Sequence, residues 1–311
     1  MSFFHEPVMC KEVLASLGCR PGGVYVDGTV GGGGHARAIL EQTAPDGLLI
    51  GIDRDSDALR ASEKKLQSFG RRKILLKGNF ADIGKLLTNL NIEKVDGILL
   101  DLGVSSHQLD AGDRGFSFSS DGPLDMRMDQ DSRYSACDLV NLSSENELRK
   151  IIKAYGEEPM AGRITRAILT KRAAVPIRTT RELADVIYHA VPAAYRQRRI
   201  HPATRTFQAI RIAVNDELSN LRTAILNGTD MLKRGGRFSI ISFHSLEDRI
   251  VKEAFRAAQK GCTCPPDLPV CNCKGEPKLN VITKRQVYPG TDEVDSNPRA
   301  RSARLRTAER R

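Results

Sequence analysis

The chain has 311 residues, 40% of them hydrophobic, with a formal net charge of +10 and no tryptophan. That length exceeds one average domain, so one large domain with an insertion, or two domains, is expected around a sizeable core. No run approaches the ~18 apolar residues of a membrane span, "MSFFHEPVMCKEVLASLG" is no signal peptide, and seven mostly clustered cysteines do not form a secreted disulfide framework. These features predict a cytoplasmic protein with no membrane partner, and the basic balance leans modestly toward an anionic one.

In chain order, Pro7 is placed to open a helix with Val8, Val13, Leu14 and Leu17 on its inner side. "GVYVDGT" reads as a short buried strand ending at Asp27. Four glycines follow at 31–34, then a helix over about 35–41. "GLLIGID" gives a second strand ending at Asp53, and "RKILLKGNF" a third ending near Asn79. After a helix over about 83–90, "VDGILLDLG" gives a fourth strand ending at Asp101. Short apolar strands separated by helices predict a parallel sheet covered on both faces.

The pattern then changes. "HQLDAGDRGFSFSSDGPLDMRMDQDS" has no period, and helical spacing follows in Leu148, Ile151, Ile152 and Tyr155 after Ser143–Ser144. It recurs in Leu183, Val186, Ile187 and Val191 after Thr179–Thr180, with Pro192 as the stop. No strand is evident over 106–205, which predicts an inserted helical domain. Phe207, Ile210, Val214, Leu218, Leu221 and Ile225 predict one long helix. "GGRFSIISFHS" and "KLNVITK" resume the strand pattern around a helix over about 245–256. The basic tail, 299–311, reads as an edge strand or an irregular arm.

A strand, a glycine turn and a helix make a nucleotide-binding unit, because glycine lets a ligand approach the backbone and the helix offers free N–H groups. Asp53, at the end of the next strand, is placed to accept both hydroxyls of a ribose. Gly31, Gly33 and Ala36 can be fitted to the dinucleotide pattern G-x-G-x-x-G/A. Asp27 argues against a pyrophosphate, since a carboxylate beside the glycines suits a cation. S-adenosylmethionine carries an ammonium, a sulfonium and a ribose but no phosphate, and it fits Asp27, Asp53 and Asp101 together.

"FFHEPVM", "DGTVGGGGH", "GIDRD", "DLGVSS", "RGFSFSSDGPLDMRM", "HPATRTFQAIRIAVNDEL", "SFHSLEDRIVK" and "NPRARSARLR" resemble the bacterial small-subunit rRNA cytosine-N4 methyltransferases, in order along nearly the whole chain. The resemblance implies an α/β fold, a class I (Rossmann-like) methyltransferase core at 1–105 and 206–311, with the helical insertion at 106–205 selecting substrate. It implies methyl transfer from S-adenosylmethionine to the exocyclic N4 of a cytidine in the decoding region of the small-subunit RNA. The family's cofactor positions carry over onto Gly33, Gly34, His35, Asp53, Phe80, Asp101 and Gln108, with Phe80 stacking on or flanking adenine. A commonly buried residue type, Phe80 also reads as core.

The N4 lone pair of cytosine is delocalised into the ring, so catalysis needs acceptors on the amino hydrogens and a destination for a proton. Many amino methyltransferases place an Asp/Asn/Ser-Pro-Pro-aromatic motif after the fourth strand. Here Asp101 is followed by Leu102, Gly103 and Val104. Asp101 is the candidate catalytic residue, with cofactor contact as its first role. Phe3, Phe4, His5, Phe116 and Phe118 are candidates for holding the base, or ordinary packing residues. His244 either meets RNA or sits in a loop with Ser245 capping the next helix.

Arg196, Arg198 and Arg199 in "YRQRRIHPATR", and the tail arginines, suit RNA phosphates or a solvated surface. Cys262, Cys264, Cys271 and Cys273 form C-x-C, six residues, then C-x-C, which fits either a structural zinc or, without metal, disulfides or free thiols. A nicotinamide-dependent oxidoreductase and a non-catalytic RNA-binding protein stand as the competing functions.

Overall fold

The structure, a computed structural model, describes residues 7–262, 264 and 275–311. They divide into two compact units. One runs to Gly103 and resumes at Leu218, and the other is Val104–Glu217.

The first unit is built on a seven-stranded sheet: β1 Val24–Asp27, β2 Leu48–Asp53, β3 Lys73–Lys77, β4 Val95–Asp101, β5 Leu232–Ser242, β6 Leu279–Val281 and β7 Arg304–Arg310. Their order is β3-β2-β1-β4-β5-β7-β6, with β1 to β5 parallel and β7 antiparallel to both neighbours. β4 shows why the continuous apolar reading works: its first six residues are buried and only Asp101, at its carboxyl end, is partly open. Two apolar layers cover the sheet. Ile98, Leu100, Ile225 and Phe255 lie in one, and Val13, Ile39, Leu49 and Leu305 in the other.

The strand order reverses at β1 and β4, where their carboxyl ends form the crevice in which open α/β sheets bind ligands. The first helix is Cys10–Leu17, three residues past Pro7. The tail is β7, which lies between β5 and β6 and is therefore not an edge strand. Its Arg306 is 6% exposed and donates from Nε to Asp248 Oδ1 at 2.6 Å and from a terminal nitrogen to Oδ2 at 3.2 Å. That arginine holds the sheet to the helix Ser245–Lys260 and does not face an RNA phosphate, which corrects the reading of the tail at this position.

The second unit is helical, with no strand ladder among its described residues. Its helices include Glu145–Gly156, capped by Ser144, and Thr180–Ala190, opened by a reciprocal Thr179–Glu182 cap. Ala161–Ala174 is a further helix whose small and basic residues obscure its apolar face, Ile164 and Ile168. The aperiodic stretch after Asp110 contributes Phe116, Leu124, Met126 and Met128 to the core. Buried Asn215 clamps it, donating to the Met126 carbonyl and accepting from Met128 N–H, both at 2.8 Å.

The expected long helix is two helices, Thr204–Asn215 and Glu217–Met231. Asp216 breaks it in a left-handed conformation, φ 50°. The boundary of the helical unit accordingly falls after Glu217, not after residue 205.

Candidate active site

β1 ends at Asp27, and the backbone turns through the glycines into the helix Gly34–Gln42. Gly31 and Gly33 have φ 50° and 77°, which glycine adopts without strain. A Cβ on Gly34 would stand 3.0 Å from Pro7. Gly32 differs: its φ is ordinary, and an added Cβ would have no atom within 4 Å. Nothing in the fold demands glycine there, whereas a molecule lying on the backbone would. No side chain caps the helix at Gly33, so the first N–H groups, those of Gly34 and His35 among them, lack the usual partner.

Asp53, at the end of β2, fixes this turn. Its Oδ2 accepts from Gly31 N–H and its Oδ1 from Asp55 N–H, each at 2.9 Å. Ser62 Oγ donates to the Gly31 carbonyl at 2.6 Å from the other side. Asp27 accepts from Thr29 N–H at 3.1 Å, and Thr29 Oγ1 accepts from Asp101 N–H at 2.6 Å, which ties β1 to β4. Phe80 opens a short 3-10 turn after β3, capped by Asn79. Its Cβ would lie 3.1 Å from a side chain added to Gly28, which places it against the start of the turn.

The three strand-end acids share one electrostatic problem. Burial pushes Asp27 up to about 7, and the Asp53 charge adds to it. Burial likewise pushes Asp53 up to about 6. Asp101 is raised well above the usual carboxylate range by burial, then by Asp27 and Glu247. Its Oδ1 is buried without a hydrogen-bond partner. Among the described residues no lysine or arginine forms an ion pair with any of the three. Arg54 lowers Asp53 only as the smallest of its influences, and clustered acids without an ion-paired cation favour a cationic ligand.

His35 does not supply that charge. Burial, with the Lys65 charge, lowers it to about 4, so its ring is neutral. Its Nε2 is 2.9 Å from the Val8 carbonyl and must be the protonated nitrogen. The unprotonated Nδ1 then faces Asp101 Oδ2 at 3.9 Å and makes no ion pair.

The donor set fits S-adenosylmethionine: carboxylates for its ammonium and sulfonium, Asp53 for ribose hydroxyls, an open glycine backbone and an aromatic ring. A pyrophosphate would add negative charge beside three acids. Gly33, Gly34, His35, Asp53, Phe80 and Asp101 all lie along this turn or at these strand ends. Gln108 belongs to the helical unit, where its Oε1 accepts from Ser105 N–H at 3.0 Å in a reciprocal cap.

His244 caps the helix Ser245–Lys260 itself, through Nδ1, so the cap is one residue earlier than Ser245. Glu247 in return accepts from Phe243 and His244 N–H at 2.8 and 3.3 Å. Sequence reasoning missed Glu247, which is 2% exposed. The S-x-x-E-like spacing His244-Ser245-Leu246-Glu247 was the available signal.

Arg196, Arg198 and Arg199 lie at or just after the short helix Ala193–Arg196 in the helical unit. His5, Cys271 and Cys273 lie outside the described residues, as do Phe3 and Phe4. Cys262 and Cys264 are half-buried just beyond the helix Ser245–Lys260. No described helix is long and apolar enough to cross a membrane.

The sequence profile described as the MraW methylase family matches residues 2–311. The ribosomal RNA small subunit methyltransferase H of Syntrophus aciditrophicus (strain SB) is 62% identical over 307 residues, 99% of this chain and 98% of the relative. The protein of the same name from Geobacter sulfurreducens is 56% identical over 310 residues, 100% of both chains. Among solved structures, an rRNA methylase from Streptococcus thermophilus aligns over 99% of both chains, at 9% identity and a TM-score of 0.44. The sheet order and the family profile make the first unit a class I methyltransferase core.

Proposed function

The chain belongs to the MraW methylase family, and on that premise we propose that it methylates the exocyclic N4 of a cytidine in the decoding region of small-subunit ribosomal RNA. The observation that carries the substrate is the 62% identity, over 99% of this chain, to a ribosomal RNA small subunit methyltransferase H. The three strand-end acids, raised by burial and paired with no lysine or arginine among the described residues, support S-adenosylmethionine as methyl donor over a nicotinamide dinucleotide.

When bound, the donor supplies an electrophilic methyl group. The protein's part is positioning and proton handling. Asp53 would take ribose hydroxyls on the lone pairs that Gly31 and Asp55 N–H leave open. Phe80 would flank the adenine. Asp101 would first counter the positive ligand, and that same charge lowers its proton affinity. Its Oδ1, unpartnered in the protein, would then accept a hydrogen of the cytosine amino group. Drawing electron density toward the nitrogen in this way makes it a better nucleophile, and the carboxylate gives the released proton a destination. Arg196, Arg198 and Arg199 would hold RNA phosphates, and His244 and His5 stand as further RNA contacts.

The test is labelled S-adenosylmethionine with small-subunit particles, followed by nucleoside mass mapping of the RNA. Label in an N4-methylated cytidine supports the reading. Label in another nucleoside overturns the N4 assignment, and no label in RNA leaves the non-catalytic alternative standing.

A further inference from the structure

The arginines of the helical unit are arranged on aromatic rings. Residues 190–205 hold four arginines and no acid. Arg127 and Arg211 of the same unit are paired with Asp125 and Glu217. Among the described residues, Arg196, Arg198, Arg199 and Arg205 form no ion pair. Arg198 instead places its Cζ 4.2 Å from the ring centroid of Tyr195. The Tyr195 hydroxyl donates to Glu158, 2.8 and 2.9 Å from its two oxygens, and Glu158 is buried. The ring is thus anchored from below while Arg198 is exposed above it.

The second arginine repeats the arrangement. Arg196 Cζ lies 4.8 Å over Tyr188, with its Nε donating to the Val191 carbonyl at 3.1 Å. Tyr188 is 37% exposed and stacks at 6.0 Å and 18° with exposed His201. His201 meets Phe118 at 4.7 Å, and Phe118 packs edge-on against buried Phe207. A run of rings therefore passes from the core to the surface and ends under the Arg196 guanidinium.

Charge alone would need only scattered lysines or arginines. Here two cations, Arg196 and Arg198, are held over rings, and those rings are tied to the core. A guanidinium over a ring can carry a nucleobase on its outer face while its edge donates to a phosphate. A duplex hides the faces of its bases, and an unpaired strand offers them. Resting on the RNA-methyltransferase reading above, we infer that Tyr188, Tyr195, Arg196, Arg198 and His201 form a stacking surface for an unpaired RNA segment. Bases lie on the guanidinium groups of Arg196 and Arg198 and on the exposed rings Tyr188 and His201, while buried Tyr195 supports Arg198 from beneath, in addition to the phosphates held by charge.

The test separates plane from charge. Arg196→Lys/Arg198→Lys keeps both charges and removes both planes. Tyr188→Ala removes a ring, and Tyr188→Phe restores it. Each protein is titrated with a short unpaired oligoribonucleotide, its abasic counterpart and a duplex of equal length, across a salt series. The double lysine variant and Tyr188→Ala are expected to lose about five- to fiftyfold in affinity for the unpaired RNA, the scale of one stacked base. The salt slope, the melting temperature and the cofactor affinity stay unchanged. Tyr188→Phe binds like wild type, and the abasic RNA binds weakly to every variant.

Wild-type affinity in the double lysine variant, or equal affinity for abasic and parent RNA, overturns the stacking surface. So does a loss of binding to ribosomal particles without any loss on protein-free RNA, which assigns the face to a protein. Methyl transfer by the wild type is read on the same preparations. Its presence beside unaltered RNA affinities rejects this surface alone, and its absence rejects the function beneath it.

Discussion

At the carboxyl ends of β1, β2 and β4 three acids, Asp27 buried and Asp53 and Asp101 partly buried, form no ion pair with a lysine or arginine among the described residues, whereas in the helical unit four arginines between 190 and 205 form none with an acid. The two regions handle unpaired charge in opposite physical settings. The acids are wholly (Asp27) or partly (Asp53, Asp101) withdrawn from water, so their charge is costly and their carboxyls shift upward. The arginines stand wholly or partly exposed, where water meets their charge at little cost, and rings lie beneath two of them, Arg196 and Arg198. The first setting selects a small positive ligand that can be enclosed. The second suits a long anion that remains largely solvated.

The largest expected effect comes from arginine used the other way. Arg306→Ala takes from Asp248 its two-pronged partner and leaves only Arg304 at 3.9 Å, and a loss of up to about 3–5 kcal/mol in stability is expected by chemical denaturation. Its salt slope for RNA should not move. A slope that falls instead would place the tail among the phosphate contacts and blur the contrast between tail and helical unit.

Next in size is Asp53→Ala. It removes an acceptor for two ribose hydroxyls and unties Gly31, so cofactor affinity should fall by about 1.5–3 kcal/mol in calorimetry. Unchanged affinity would remove Asp53 from the ribose site.

A smaller, graded effect is set by pH. The folded-state values of Asp27 and Asp53, about 7 and about 6, lie above the ordinary carboxyl value of 3.8. The fold therefore favours their protonated forms. Their destabilising effect is absent below the ordinary range and is fully present above about 7. The ligand-free protein should lose melting temperature as pH rises from about 4 to about 7, while affinity for S-adenosylmethionine rises with pH until these acids are ionised, near pH 7. Affinity that is flat with pH would mean that the acids do not face the ligand's charge.

The smallest effect concerns a proposal carried by spacing alone. If Cys262, Cys264, Cys271 and Cys273 hold zinc, purified protein should carry about one equivalent, and Cys271→Ser should lose it. Full activity and an unchanged melting temperature in metal-free protein would reject a structural ion.

The core was the more legible unit because β1, β2 and β4 are short, largely buried runs that each stop at an aspartate. "VDGILLD" could be read directly, and the glycines marked the turn. The helical unit hid more. Phe116, Leu124, Met126 and Met128 enter its core from irregular backbone, which has no period to detect. The three-and-four spacing continues through Asp216, so the break there could not be seen from apolar residues. Arg306 looked like its neighbours because its partner, Asp248, is distant in sequence. At the site, Asp27, Asp53 and Asp101 were readable as strand ends. The role of Glu247 was not, because its buried position depends on His244 capping the helix.

The most direct measurement crosses the two regions. Asp53→Ala and the triple variant Arg196→Ala/Arg198→Ala/Arg199→Ala are each titrated with S-adenosylmethionine and, across a salt series, with small-subunit RNA. The Asp53 variant should lose cofactor affinity and keep its RNA affinity and salt slope. The triple variant should keep cofactor affinity and lose RNA affinity, its slope of log affinity against log salt falling by up to about 0.7–0.9 for each lost phosphate contact. A triple variant with wild-type RNA affinity and slope, or either variant losing both ligands together, would contradict the division of labour between the two charges.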